Sequence, residues 1–215
     1  MWDWTENKVT LALIRHGATK ANEEHRYLGK TDEPLSEKGI EILKAYKAKK
    51  LYPDVEYLFS SPMRRCIDTA QIIYPSLTPI VISEWEEMDF GQFEYKNYEE
   101  LKNDVQYQKW IDSLGTLDFP QGENRVDFIR RCKSGFIKMC NELGRAAAKD
   151  GKKDITAGMV VHGGTIMSVM SLYAGGNYFD YQVLNGRGYV CRMGNINGGE
   201  MLDVGNAWLK VLRKI

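Results

Sequence analysis

The chain has 215 residues, and its 29 Lys plus Arg balance 29 Asp plus Glu, so the formal net charge is zero. Surfaces that hold nucleic-acid backbone or anionic membrane carry a basic excess, because each phosphate contact wants a cation; the balance speaks against both, while leaving room for one small basic pocket. A hydrophobic fraction of 43% excludes intrinsic disorder, and one domain over residues 1–215 with a lid-like insertion is the expectation.

In chain order, the opening Met1-Trp2-Asp3-Trp4-Thr5-Glu6-Asn7-Lys8 is polar and acidic, unlike a secretory signal. Residues 8–14, apolar and rich in β-branched side chains, predict a first strand. Residues 36–50 predict a helix capped by Ser36, with Glu37 in its first turn, Leu35 stapled to Ile40, and Ile40, Leu43 and Tyr46 on its apolar face. A strand at 57–60 follows. Residues 61–73 predict a helix with Ser61 as cap and Pro62 at the first helical position. Its core face is Met63, Cys66, Ile67, Ala70 and Ile73. A strand is expected at 79–82.

Residues 84–121 carry no strong strand but many aromatics: Trp85, Phe90, Phe93, Tyr95, Tyr98, Tyr107 and Trp110. This stretch reads as an excursion that covers a crevice. Residues 124–148 predict the longest helix, with Ile129, Cys132, Phe136, Cys140, Leu143 and Ala147 at helical spacing. Strands are expected at 156–161, 188–193 and 200–204, and a nearly all-apolar, buried helix at 164–173. No apolar run approaches the roughly 20 residues of a membrane helix. Cys66, Cys132, Cys140 and Cys191 form no CxxC and read as small buried hydrophobes, which suits a reducing cytoplasm.

Strands alternating with helices argue for an α/β fold with a mostly parallel central sheet and helices on both faces. In such sheets the ligand crevice lies beyond the carboxyl ends of the strands. Two histidines fall there, His16 and His162, each following an apolar strand and preceding glycine. His25 sits in a polar loop and reads as solvated. Neither HxxxH nor a Cys/His cluster is present, so no metal is expected. Arg15 stands at the same strand end. Of the adjacent pair Arg64 and Arg65, Arg64 can pair with Asp68 four residues on. Arg65 points away from the core face and has no partner in its own helix. A guanidinium fork fits phosphate oxygens, so Arg15, Arg65 and the two histidines suit a phosphate clamp.

Five segments in series then resemble the histidine phosphatase superfamily, the phosphoglycerate-mutase-like proteins. Ile14-Arg15-His16-Gly17-Ala18-Thr19-Lys20-Ala21-Asn22 resembles its RHGxTxxN signature. Pro34-Leu35-Ser36-Glu37-Lys38-Gly39 resembles PLSxxG, and Ser61-Pro62-Met63-Arg64-Arg65-Cys66-Ile67-Asp68-Thr69-Ala70 resembles SPLxRAxxTA. Glu87-Met88-Asp89-Phe90-Gly91-Gln92-Phe93-Glu94 is similar to ExxFGxWE, and Val161-His162-Gly163-Gly164 to VxHGG. The departures are Cys66 for alanine, Phe93 for tryptophan, and Tyr95 where glycine often follows.

The resemblance implies a phosphoglycerate-mutase-like fold with a short helical lid at about 84–122. It implies His16 as nucleophile, Glu87 as proton donor, and Arg15, Arg65 and His162 around the phosphate. Thr19, Asn22 and Gly163 are implied to bind substrate. No metal or other cofactor is implied. A backbone carbonyl is expected to hold one His16 N–H, and burial among Trp85, Phe90 and Phe93 to raise the Glu87 pKa. Glu86 reads as solvated and Glu123 as structural.

The short lid and the Phe119-Pro120-Gln121-Gly122-Glu123-Asn124 turn are most similar to the phosphatase branch, α-ribazole and broad-specificity phosphatases in particular. The implied partner is a small phosphorylated metabolite, α-ribazole 5'-phosphate being one candidate. A cofactor-dependent phosphoglycerate mutase and an inactive phosphate-binding module are the alternatives. The lid aromatics fit either a bound ring or a lid core. A homodimer stays open, with Trp2 and Trp4 available to a sheet edge or a second subunit.

Overall fold

The computed structural model describes residues 7–195 and 207–215. Among them one sheet is formed by β1 (Lys8–Arg15), β2 (Tyr57–Ser60), β3 (Ile80–Val81), β4 (Asp154–Val161), β5 (Gly188–Asn195) and β6 (Ala207–Lys214), in the order β3-β2-β4-β1-β5-β6. The first four strands of that order run parallel, and β5 is antiparallel to both its neighbours. The sheet is therefore the mostly parallel one expected. Trp2, Trp4 and the predicted strand at 200–204 lie outside the described residues. β6 escaped the sequence reading because it is an edge strand whose last five residues are exposed, so its apolar and charged residues do not alternate cleanly.

Strand pleating sorts the core into two layers. Val9, Leu11 and Leu13 of β1 face one side, where Phe136, Met139 and Leu143 of α6 (Arg125–Lys149) and Ile166 and Val169 of α7 (Gly163–Tyr173) pack on them. Ala12 and Ile14 face the other, against Leu43 of α2 (Glu37–Ala48) and Cys66, Ala70 and Ile73 of α3 (Arg64–Ile73). Between β3 and α6 the chain makes no strand. It forms α4 (Tyr98–Leu101) and α5 (Val105–Asp112), with Met88, Phe93, Leu101, Tyr107 and Phe119 in a third cluster. A one-turn α1 (Lys20–Glu23) follows the first strand.

Three local expectations need correction. Ser36 caps α2 as read, accepting from Gly39 N at 3.0 Å. Ser61 does not cap α3, which begins at Arg64; Asp32, from another loop, accepts from Arg64 N at 2.8 Å instead. On α3, Thr69 is buried where Ile67 was expected, because the helix packs on the loop after β1 as well as on the sheet. On α6, Phe128 rather than Ile129 is buried. The first turns of that helix face the lid cluster and the later turns face the sheet, so its apolar stripe drifts. All four cysteines are buried and free, and among the described residues no helix is long and apolar enough to cross a membrane.

Candidate active site

Register brings the two histidines together. Arg15, last in β1, lies opposite Val161, last in β4, and His16 N donates to Val161 O at 2.9 Å. His16 and His162 are thus the next residues on adjacent parallel strands, and their ring centroids are 5.2 Å apart. Ser61 occupies the same step beyond β2, which pairs with β4 on its other side. Its hydroxyl shares a 2.7 Å hydrogen bond with His162 Nε2. The sequence reading gave Ser61 a local capping task; only the sheet order places it beside His162.

The His16 ring is almost fully buried, and its Nδ1–H donates to Gly17 O at 2.7 Å. A carbonyl can only accept, so Nδ1 carries the proton and the neutral ring presents Nε2 with a lone pair. Burial, then Arg65 and Arg15, push the His16 pKa well below its usual value. Burial and the same arginines do likewise for His162.

Arg65, expected to point away from the core face, is instead wholly buried, because it lies on the side of α3 that also buries Cys66, Thr69 and Ala70 and reaches from there to the 29–31 loop. Its Nη1 donates to Thr31 O at 2.9 Å and its Nη2 to Gly29 O at 2.8 Å. Arg64 stays on the surface beside Asp68, as its spacing suggested. Arg15 Nη1 donates to Val183 O at 2.8 Å. Among the described residues the buried Nε of Arg15 and that of Arg65 have no hydrogen-bond partner. Such orphan charged donors are costly unless an anion meets them. Gly163 lies beside the Arg15 guanidinium, at the amino end of α7, where helical N–H groups also favour an anion.

Gly29 is a crossing point. Its carbonyl anchors Arg65, its N–H donates to Glu94 of the lid at 3.0 Å, and a Cβ there would sit 2.0 Å from Met88 O. Thr19 and Asn22 form a reciprocal capping box on α1, which engages the Thr19 hydroxyl. Asn22 Oδ1 also accepts from Asn185 Nδ2 at 3.0 Å, leaving its own Nδ2 as the donor available to a ligand.

Burial raises the Glu87 pKa, while the Met88 N–H, Arg65 and Arg15 pull it down. The surroundings differ from those expected. Phe90 lines the same cavity as Glu87, as expected, but Trp85 belongs to the sheet core and Phe93 to the lid core, and Gly164 and Phe128 lie close to the carboxyl. Glu123 forms a bidentate ion pair with Arg131, as its structural reading required.

A cavity of about 630 Å3 adjoins these groups, lined by Arg15, Glu87 and Gly163, and by Tyr27, Phe90, Trp110, Phe119, Tyr178 and Phe179. The lid aromatics therefore serve both ends: Phe119 packs in the lid core and also faces the cavity.

Several residues of the site were missed in the sequence. Asn185 ties the chain after α7 to His16 O at 3.2 Å, and Thr69 Oγ1 accepts from Gly17 N at 2.9 Å. Asn185-Gly186 is a turn signal that could have drawn attention. Thr69 stood at the threonine of the SPLxRAxxTA resemblance without being given a task, and Arg131 carried no signal of its own.

The model of the histidine phosphatase superfamily (branch 1) matches residues 11–191. A Hydrogenobacter thermophilus protein provisionally named phosphoserine phosphatase 2 is 28% identical, over 77% of this chain and 78% of its own length. The α-ribazole phosphatase structure from Shigella flexneri superposes with a TM-score of 0.69 at 22% identity, covering 94% of this chain and 95% of that one. A phosphoglycerate mutase structure from Thermus thermophilus gives 0.60 at 27% identity, covering 85% and 91%.

Proposed function

Because the chain belongs to the histidine phosphatase superfamily, branch 1, and is a phosphatase, we propose that it hydrolyses a small phosphomonoester through a phosphohistidine on His16, without a metal. The observation that carries this reading is the pair of buried, unpartnered Nε–H groups of Arg15 and Arg65 beside a neutral histidine. His16 Nε2 attacks phosphorus in line, forming an N–P bond as the ester P–O bond breaks. Arg15, Arg65 and His162, with the Asn22 amide and Gly163 N–H, face the phosphoryl oxygens as charge builds on them. Glu87 gives its proton to the departing alkoxide. It then takes a proton from the water that cleaves the N–P bond, which regenerates His16 and releases phosphate.

The cavity supports a leaving group larger than a three-carbon acid. Its volume falls within the roughly 300–1,000 Å3 of sites that enclose a whole small molecule, and six aromatic side chains are among those that line it. We read the substrate as a ring-bearing phosphate, with α-ribazole 5'-phosphate as the leading candidate.

The test is turnover of p-nitrophenyl phosphate with and without a chelator. Chelator-insensitive hydrolysis that disappears in His16→Ala is the expected result. Failure to hydrolyse any phosphomonoester, with the fold intact, overturns the reading. Loss of activity to chelator overturns its metal-free part. Exchange between the phosphoglycerates that depends on 2,3-bisphosphoglycerate marks a mutase instead. A panel of α-ribazole phosphate, sugar phosphates, phosphoserine and phosphoglycerates then ranks substrates by kcat/KM.

A further inference from the structure

We propose that Arg131 is the positioning residue of the proton-donor segment, and that its guanidinium fixes the backbone from which Glu87 reaches the leaving group. The proposal rests on reading Glu87 as the general acid.

Arg131 projects from α6 into the stretch that follows β3. Its Nη1 donates to Glu84 O at 2.9 Å and to Glu86 O at 2.8 Å, and its Nη2 donates to Glu87 O at 3.4 Å. The remaining donors go to one carboxylate, Nε to Glu123 Oε1 at 3.0 Å and Nη2 to Glu123 Oε2 at 2.8 Å. These five contacts match the five N–H groups an arginine owns. Three of the acceptors are carbonyls of a short irregular segment, 84–87, whose only regular structure is one turn at Ser83–Trp85. A segment of that kind cannot satisfy its own inward carbonyls, so a planar, rigid donor acts as its template.

Glu87 depends on that template. The hydrogen bond drawn to its carboxylate from the adjoining backbone is from Met88 N, at 3.0 Å, the residue next to it in the chain. A second N–H, that of Gly164 at the start of α7, also faces the carboxylate, so where the carboxyl points follows from how 84–88 is folded against α7. The same clamp reaches the lid, since Glu123 N donates to Asp89 O at 2.9 Å. Arg131, Glu123 and Glu87 also line a second cavity of about 340 Å3 together with Lys30, Glu86 and Asp89. Glu87 thus stands as a partition between that charged cavity and the aromatic one, and Arg131 is the strut behind it. The guanidinium lies over the Phe128 ring, 5.1 Å from its centroid, which fixes it on the helix side.

Leaving-group chemistry separates positioning from mere structural support. p-Nitrophenolate departs without a proton, whereas a simple alkoxide needs one from Glu87. The experiment measures kcat/KM of wild type, Arg131→Lys, Glu123→Gln, Glu87→Gln and the Arg131→Lys/Glu87→Gln double variant on p-nitrophenyl phosphate and on a primary alkyl phosphate. Circular dichroism checks the fold of each. Lysine keeps the charge but offers three donors and no fork. The expected result is a loss on the alkyl ester at least about tenfold greater than on the aryl ester, about 1.4 kcal/mol of transition-state selectivity. Glu123→Gln, which leaves the three carbonyl bonds, shifts selectivity the same way by less. In the Glu87→Gln background the extra selectivity vanishes, because the group being positioned is gone.

Equal losses on both esters, or additive losses in the double variant, overturn the positioning role and leave the phosphatase reading intact. A Glu87→Gln enzyme that does not discriminate between the esters overturns the acid assignment and the proposal with it. If Arg131→Lys fails to fold, Glu123→Gln decides by the same ratio.

Discussion

Replacing Thr69 with valine tests the strut beneath His16, the proposed nucleophile. Thr69 is completely buried, and its hydroxyl joins two elements: it accepts from Gly17 N at 2.9 Å and donates to Arg65 O at 2.6 Å. Valine has nearly the same shape but no hydroxyl, so the two N–H and C=O groups lose a shared partner. Arg65 O still lies within α3 and keeps its helical bond. Gly17 N–H has no such fallback, and an orphaned buried donor costs about 1–3 kcal/mol. For a chain of this size each kcal/mol moves Tm by roughly 2–4 °C, so Thr69→Val should melt about 2–12 °C below wild type. The effect on turnover comes through Gly17, whose carbonyl receives the His16 Nδ1 proton. A small displacement there misaims Nε2, and kcat should fall by about tenfold or more. Thr69→Ser keeps the hydroxyl and should stay close to wild type in both. Differential scanning calorimetry and steady-state kinetics on the two variants suffice. A Thr69→Val enzyme with unchanged Tm and kcat would refute the coupling.

Four other outcomes follow from the site. The pH profile of kcat/KM should hold through mildly acid pH, because His16 is kept neutral there by burial and two arginines. It should fall as pH rises through the raised pKa of Glu87, whose acid form the proposed mechanism requires; a rate that climbs from mildly acid to mildly alkaline pH contradicts this. Gly164→Ala places a Cβ 2.7 Å from Glu87 Oε1 and 2.9 Å from the Phe128 ring. Overpacking of that kind costs about 1–3 kcal/mol, and kcat should drop along with Tm. Trp110→Ala removes one wall of the aromatic cavity and should raise KM for a ring-bearing phosphate more than for phosphoserine; an equal change in both tells against the cavity as the leaving-group site. Leu114 adopts φ 56° with 80% of its surface exposed. Leu114→Gly relieves a left-handed side-chain clash at no loss of burial and should raise stability by up to about 1 kcal/mol, read by urea unfolding.

How far the sequence carries can be judged residue by residue. The strand ends were legible because buried parallel strands are continuous apolar runs, and Arg15-His16 and His162 interrupt them at the carboxyl end. Helical phase misplaced Arg65, which lies on the buried side of α3 with Cys66, Thr69 and Ala70 rather than opposite it; what the sequence did show is that Arg64 has Asp68 at the right spacing and Arg65 has no partner in its own helix. What Arg65 does reach, the carbonyls of Gly29 and Thr31, lies on a loop no local rule connects to α3. Ser61 shows the limit most plainly. Its sequence neighbours argue for a cap, and only the adjacency of β2 and β4 gives its hydroxyl to His162. Much of what Thr69, Asn185 and Arg131 do is to hold backbone groups of distant segments, Gly17 N, His16 O and the carbonyls of 84–87, and a backbone partner leaves no trace in residue identity. The aromatic segment could not be resolved between ring-binding and lid core because the two share side chains.

Gly29 has a practical consequence for anyone who would change what this enzyme accepts. Its N–H is held by the lid residue Glu94, while its carbonyl holds Arg65. Grafting another lid onto this scaffold would exchange more than the wall of the cavity of about 630 Å3. It would remove the carboxylate that holds the N–H groups of Gly29 and Thr31, the two residues whose carbonyls anchor Arg65, and residue 29 leaves no room for a side chain to compensate. A transplant has to carry the loop around residues 29–31 together with the Glu94 region, as one exchangeable cassette.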